Sequence, residues 1–81
     1  MGVNLFPNPT DGRLNVDLSA YANKAIRLEV YKNLGKVLKI VETEAMNVQL
    51  DLADYQSDLY LIRVTSEGLP DVTKRVILQR Y

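Results

Sequence analysis

Three stretches of this chain carry an apolar residue at every second position. Leu14, Val16 and Leu18 alternate with Asn15 and Asp17. Ile26, Leu28 and Val30 alternate with Arg27, Glu29 and Tyr31. Met46, Val48, Leu50 and Leu52 alternate with Asn47, Gln49 and Asp51. A period of two places successive side chains on opposite faces of a strand, whereas a helix needs an apolar stripe spaced by three and four. All three stretches are read as half-buried strands with their apolar sides on a shared core.

The remaining apolar runs fit the same class. Val37, Leu38, Ile40 and Val41 present apolar side chains on both faces around Lys39, as in a strand with a bulge or one covered on both sides. In Leu59-Tyr60-Leu61-Ile62-Arg63-Val64-Thr65, parity assigns Tyr60, Ile62 and Val64 to the core and Leu59 and Leu61 to a neighbouring element or a partner. Val72, Val76 and Leu78 share one parity with Lys74, and Ile77 takes the other. Val3 to Phe6 reads as a short opening strand stopped by Pro7, which has no N–H to continue a ladder.

Turn signals separate these runs. Pro7-Asn8-Pro9-Thr10-Asp11-Gly12 is the strongest, and Asn33-Leu34-Gly35 reverses the chain with Gly35 in the left-handed position. Asp54 to Asp58 is a short connection with room for one helical turn, and Ser66 to Asp71 is a longer polar loop. About seven short strands with connections too short for helical crossovers predict an antiparallel β-sandwich. Lys36, Lys39 and Glu42 are expected to blunt an exposed edge.

Composition narrows the chemistry. At 81 residues the chain is one small domain, of a size that buries roughly 60% of its unfolded surface. It has no Cys and no His, which removes disulfides, zinc sites of the usual kind, the common proton shuttle and the best nucleophile. Ser19, Ser57 and Ser66 therefore lack an imidazole to activate them. Ten Lys+Arg against ten Asp+Glu give no basic surplus for nucleic acid. No apolar run approaches the roughly 20 residues of a membrane span, and no secretory leader is read at Met1-Gly2.

Four weaker candidates need weighing. The carboxylate pairs Asp11 with Asp17 and Asp54 with Asp58 are available for glycoside hydrolysis, but Asp in turns and on solvated strand faces explains them. Asn8, Thr10 and Asp11 offer oxygen ligands for calcium in one loop, yet with a single carboxylate a structural turn is preferred. Tyr21, Tyr31, Tyr55, Tyr60 and Tyr81 are candidates for a sugar-stacking platform, although Tyr60 falls on the core parity. The C-terminal stretch Lys74-Arg75-Val76-Ile77-Leu78-Gln79-Arg80-Tyr81 joins three cations to a β-prone apolar centre that a partner could read by strand addition. On the residues alone, a last strand with charged solvent-facing positions explains it as well.

Taken in order, four motifs resemble a known family. Leu5-Phe6-Pro7-Asn8-Pro9-Thr10-Asp11-Gly12-Arg13-Leu14-Asn15-Val16 is similar to the opening of the type A C-terminal sorting domains of the type IX (Por) secretion system. Val30-Tyr31-Lys32-Asn33-Leu34-Gly35-Lys36-Val37 resembles that family's hairpin. Leu50-Asp51-Leu52-Ala53 followed by Leu59-Tyr60-Leu61-Ile62-Arg63-Val64, and finally Lys74-Arg75-Val76-Ile77-Leu78-Gln79, resemble its later motifs. One position departs: Asp58 stands where the family usually has Gly. Asp tolerates left-handed backbone better than most residues, so the turn there is expected to survive.

The resemblance implies an immunoglobulin-like sandwich that is not an enzyme; no cofactor or metal is expected from the residues, calcium at the Asn8 to Asp11 loop being left open. It implies partners in the type IX outer-membrane machinery and a sortase-like protease, with transit through the periplasm to the surface or medium. It also implies an N-terminal cargo, so that residues 1–2 are an expression start and residues 3–81 a single sorting domain excised from a larger secreted protein. By position, Lys74, Arg75, Val76, Ile77, Leu78, Gln79 and Arg80 match the region carrying most of the export signal. Pro7, Asn8, Pro9, Asp11, Gly12 and Gly35 match motif turns with a structural role. The competing reading is an accessory carbohydrate-binding module of a secreted hydrolase.

Overall fold

The computed structural model describes residues 2–32 and 35–80. The expectations for Met1, for Asn33 and Leu34 in the hairpin, and for Tyr81 lie outside the described residues. Seven strands run in chain order: β1 (Asn4–Phe6), β2 (Arg13–Asp17), β3 (Ile26–Lys32), β4 (Val37–Thr43), β5 (Asn47–Asp51), β6 (Asp58–Ser66) and β7 (Val72–Leu78). They form two antiparallel sheets, ordered β1-β2-β5 and β4-β3-β6-β7. This is the all-β sandwich that the alternation predicts. The fourth strand lies on the sheet of the third, whereas antibody constant domains place it beside the first, second and fifth.

Cross-strand pairing carries the apolar parity from one strand to the next. Leu14 faces Leu50 and Val16 faces Val48 in the three-stranded sheet. Leu28 faces Val64, Val30 faces Ile62, and Tyr60 faces Val76 in the other. These inner faces close on one another with Leu14, Val16, Leu18, Leu28, Val30, Leu52, Tyr60, Ile62, Val64 and Val76 fully buried. Each fully buried Val, Leu or Ile contributes about 1.5–3 kcal/mol by leaving water. Sliding one strand by one residue would carry its whole apolar set to the solvent side, so the core locks the register.

β4 resolves the ambiguity left by its sequence. Val30 pairs with Lys39 but Tyr31 pairs with Val37, so Leu38 is an extra residue. That bulge lets Leu38 and Val41 pack against the core while Val37 and Ile40 stay exposed. β4 is an edge strand, and Lys39 and Glu42 lie along it as expected of charges that discourage edge pairing.

Three local expectations need correction. Met46 is 58% exposed and lies just before β5, because the paired strand has ended; its carbonyl instead accepts the Leu18 N–H. Asp54 to Asp58 contains no helical turn; Tyr55 N–H closes a simple turn onto the Leu52 carbonyl. A 3-10 turn sits instead at Ser19–Tyr21, where the Asp17 carboxylate accepts the Ser19 N–H and Tyr21 is drawn into the core. Asp58 is not left-handed: it opens β6 in extended backbone, and Asn23 is the one non-glycine with positive φ among the described residues. Its carboxylate accepts the Leu59 N–H and pairs with Lys32 at 3.5 Å, so the position is held by side-chain contacts.

Candidate functional site

The two sequence regions singled out, the opening turn and the terminal strand, meet in space. β7 pairs with β6 along one side only and is the edge of its sheet. Along its second half the other side is covered by the Asn8–Thr10 segment. The Asn8 side-chain amide donates from Nδ2 to the Arg75 carbonyl at 3.1 Å and accepts the Ile77 N–H on Oδ1 at 3.0 Å. Thr10 N–H then donates to the Ile77 carbonyl, and the Thr10 carbonyl accepts the Gln79 N–H, both at 2.9 Å. Asn8 thus completes with its side chain a short ladder that Thr10 makes with its backbone.

Thr10 anchors this segment. It is 2% exposed, and its hydroxyl accepts the Gly12 N–H while donating to the Arg13 carbonyl. Gly12 has φ +152, a conformation that L side chains rarely adopt, and its carbonyl accepts the Leu52 N–H at 2.7 Å. Pro7, Asn8, Pro9 and Asp11 are exposed around it. Gly35 sits at φ +84, the left-handed position expected, and closes onto the Lys32 carbonyl. Sequence reasoning placed Thr10 in the opening turn and motif but gave its hydroxyl no role other than a calcium ligand; the signal missed was its place two residues before a turn glycine. With Asn8 Oδ1 and Thr10 Oγ1 both engaged by protein hydrogen bonds, the Asp11 carboxylate alone of the proposed ligand side chains is not so engaged.

The strand itself divides by parity. Val76 and Leu78 are buried, while Ile77 is 47% exposed on the outer face. Lys74 shares the parity of Val76 yet is exposed. Arg75, Gln79 and Arg80 are exposed as well. Arg80 Nη2 donates to the Leu52 carbonyl at 2.9 Å, and its N–H reaches Ser57 Oγ, which fastens the chain end to the β5–β6 connection. Among the described residues, Lys74, Arg75 and Arg80 make no ion pair. The outer-face charges of the neighbouring strands do: Arg27 and Arg63 both approach Glu29, Arg27 reaches Glu42, and Arg63 is paired with Asp71. The Asp71 contact holds the Arg63 guanidinium above its ordinary range. Three unpaired cations thus gather at the chain's last strand and the residues just after it, while Arg13, Lys24, Lys36 and Lys39, also without an ion pair among the described residues, lie elsewhere. Beside β7 a shallow depression of about 910 Å³ is lined by Asn8, Leu59, Thr73, Lys74, Arg75 and Ile77.

Among the described residues the tyrosines do not assemble a platform. Tyr21 and Tyr60 are buried, and Tyr55 stacks on Tyr60 at 5.7 Å between centroids and donates to the Leu38 carbonyl. Burial raises the Tyr55 phenol above its ordinary value. Tyr31 lies on the outer face, on the parity opposite to Val30. Asp11 is exposed at the turn, Asp17 caps the 3-10 turn, and Asp58 caps β6, which are the local roles expected of isolated aspartates.

Comparison with known families matches residues 4–79 to the secretion system C-terminal sorting domain. No curated protein matches the chain. The match spans all seven strands and takes in both the Asn8–Thr10 cover and the strand beneath it, from the first residue of β1 to Gln79. The chain belongs to the family of secretion system C-terminal sorting domains, those of the type IX system.

Proposed function

We propose that residues 3–81 are a folded, non-catalytic export label carried at the end of a larger secreted protein. The label is read in the periplasm by the type IX outer-membrane machinery, passes to the surface with its cargo, and is then removed by a sortase-like protease. Family membership supports the sorting role. The observation that carries the reading further is that Lys74 and Arg75 on the edge strand, and Arg80 just beyond it, are exposed and make no ion pair among the described residues, while the strand's apolar residues Val76 and Leu78 are locked into the core. A machinery that handles many cargoes must recognise the label alone, and a rigid strand displaying cations gives both steering and a fixed register. No helix among the described residues is long and apolar enough to cross a membrane.

The test is a reporter with a periplasmic leader fused ahead of residues 3–81, expressed in a bacterium that has the type IX system. The reporter is expected in the medium or on the surface, and to stay in the periplasm when the translocon is inactivated. Retention in both strains overturns the reading. Removing Lys74 to Tyr81 is a blunt version, because it also takes Val76 and Leu78 from the core. Lys74→Glu with Arg75→Glu and Arg80→Glu spares the two buried side chains and addresses the signal directly. Two of the tyrosines that the carbohydrate-binding reading drew on, Tyr21 and Tyr60, face inward and are not available to it.

A further inference from the structure

In an antiparallel strand, a residue's N–H and C=O point to the same side, and successive residues alternate. Ile77 uses both groups toward the Asn8–Thr10 segment, and Arg75 turns its carbonyl toward Asn8. Continuing this alternation along the regular β6–β7 register, Thr73 also directs both groups outward, as does the N–H of Arg75. The opening turn does not reach that far. Among the described residues, β7 is thus closed from the Arg75 carbonyl to the Gln79 N–H and open at three groups: Thr73 N–H, Thr73 C=O and Arg75 N–H.

We infer that this short open edge is a strand-addition site, and that its occupant is an extended, acidic segment of the export machinery. The inference rests on the sorting reading and names the place and chemistry of its partner. Charge complementarity selects the occupant: Lys74 and Arg75 flank the open groups and have no ion-pair partner among the described residues, and none of the residues lining the adjoining depression is acidic. Leu59 and the exposed Ile77 give that depression an apolar part, suited to one apolar side chain of the added strand. The Asn8–Thr10 cover then has a second purpose. It sets the register by allowing the visitor to pair only at Thr73 and Arg75, and it shields the rest of the edge from indiscriminate pairing.

Proline provides the test, because it removes an N–H and is tolerated where that N–H faces outward from an edge strand. In the reporter fusion, Thr73→Pro should fold like the parent by circular dichroism and lower export about tenfold, the loss of a hydrogen bond plus a ring set against the incoming backbone. Thr73→Ala, which keeps the N–H and removes only the side chain, should lose clearly less export than Thr73→Pro, and an equal loss would take the effect away from the backbone group. Lys74→Pro, whose N–H points inward to β6, should unfold the domain and so verifies the alternation. Folded Thr73→Pro with parental export overturns the inference, whereas failure of the parent fusion to export overturns the sorting reading beneath it. If Thr73→Pro does not fold, Lys74→Glu with Arg75→Glu decides, since both side chains are exposed: undiminished export overturns the acidic occupant, and lost export in a folded domain supports it. Sedimentation of the isolated domain adds a last arm. A dimer that Thr73→Pro converts to monomer would assign the edge to a second copy of this chain and overturn the inference.

Discussion

Replacing Thr10 by valine isolates one hydroxyl at the point where the opening turn meets the terminal strand. The two side chains match in size and both branch at Cβ, so the substitution leaves packing and backbone preference nearly intact. It removes the group that accepts the Gly12 N–H at 3.1 Å and donates to the Arg13 carbonyl. The Gly12 contact is buried, and an amide left unpaired there costs about 1–3 kcal/mol. The Arg13 carbonyl is only partly buried and falls at the low end of that range. The expected loss is about 2–4 kcal/mol, against a total of about 4–12 kcal/mol for a chain of 81 residues. Since each kcal/mol shifts the midpoint of a domain this size by about 4–8 °C, Tm should fall by about 8–32 °C. Thr10→Ser keeps the hydroxyl and gives up one buried methyl, about 1 kcal/mol. Urea unfolding followed by circular dichroism gives the order: parent, then serine, then valine. A valine variant as stable as the serine one would refute the reasoning, because the methyl rather than the hydroxyl would then be holding the turn.

Three further outcomes follow from single contacts. Asn8→Ala removes two solvent-accessible hydrogen bonds to β7 and should cost about 1–2 kcal/mol, with faster hydrogen exchange at the Ile77 amide; unchanged exchange there would show that Asn8 does not cover the edge. The Tyr21 hydroxyl is buried without a hydrogen-bond partner among the described residues, so Tyr21→Phe should raise stability by about 1 kcal/mol in thermal unfolding, and a loss would mean that the hydroxyl is satisfied in solution. The Asp17 carboxylate is held below the ordinary aspartate range by the Ser19 N–H and hydroxyl, so its contribution is complete above the unfolded value and is lost as pH falls through the lower folded one. Parent and Asp17→Asn should therefore differ in Tm at neutral pH and converge below about pH 4; a constant difference would remove the carboxylate from the explanation.

Parity was the most legible property of the chain. Alternation alone identified Leu14, Val16, Leu28, Val30, Tyr60, Ile62 and Val64 as inward-facing, because a pleated strand must send neighbouring side chains to opposite faces; in the last strand it grouped Val76 and Leu78 with Lys74 without saying which face is covered. It failed at element ends: Met46 keeps the right parity but lies past the last paired residue, where the sheet no longer covers it. The Leu38 bulge was visible only as a conflict between two faces, since an extra residue disturbs the period without saying which residue is extra. The 3-10 turn at Ser19–Tyr21 left no apolar period at all; it depends on one carboxylate reaching the Ser19 N–H.

The candidate site shows the same division. The residues of the opening turn and of the last strand stand out in the sequence as prolines, a turn glycine and a cluster of cations, all local features of composition. That Asn8 lies against Arg75 and Ile77, sixty-nine residues from the latter, is a long-range fact. It arises only when both sheets close on the same core and bring the chain's opening to its final strand. Local periodicity thus determined which side of most strands is buried. Tertiary closure decided which edge of the last strand is covered and which remains open, because edges are made by neighbours in space and a sequence records only neighbours along the chain.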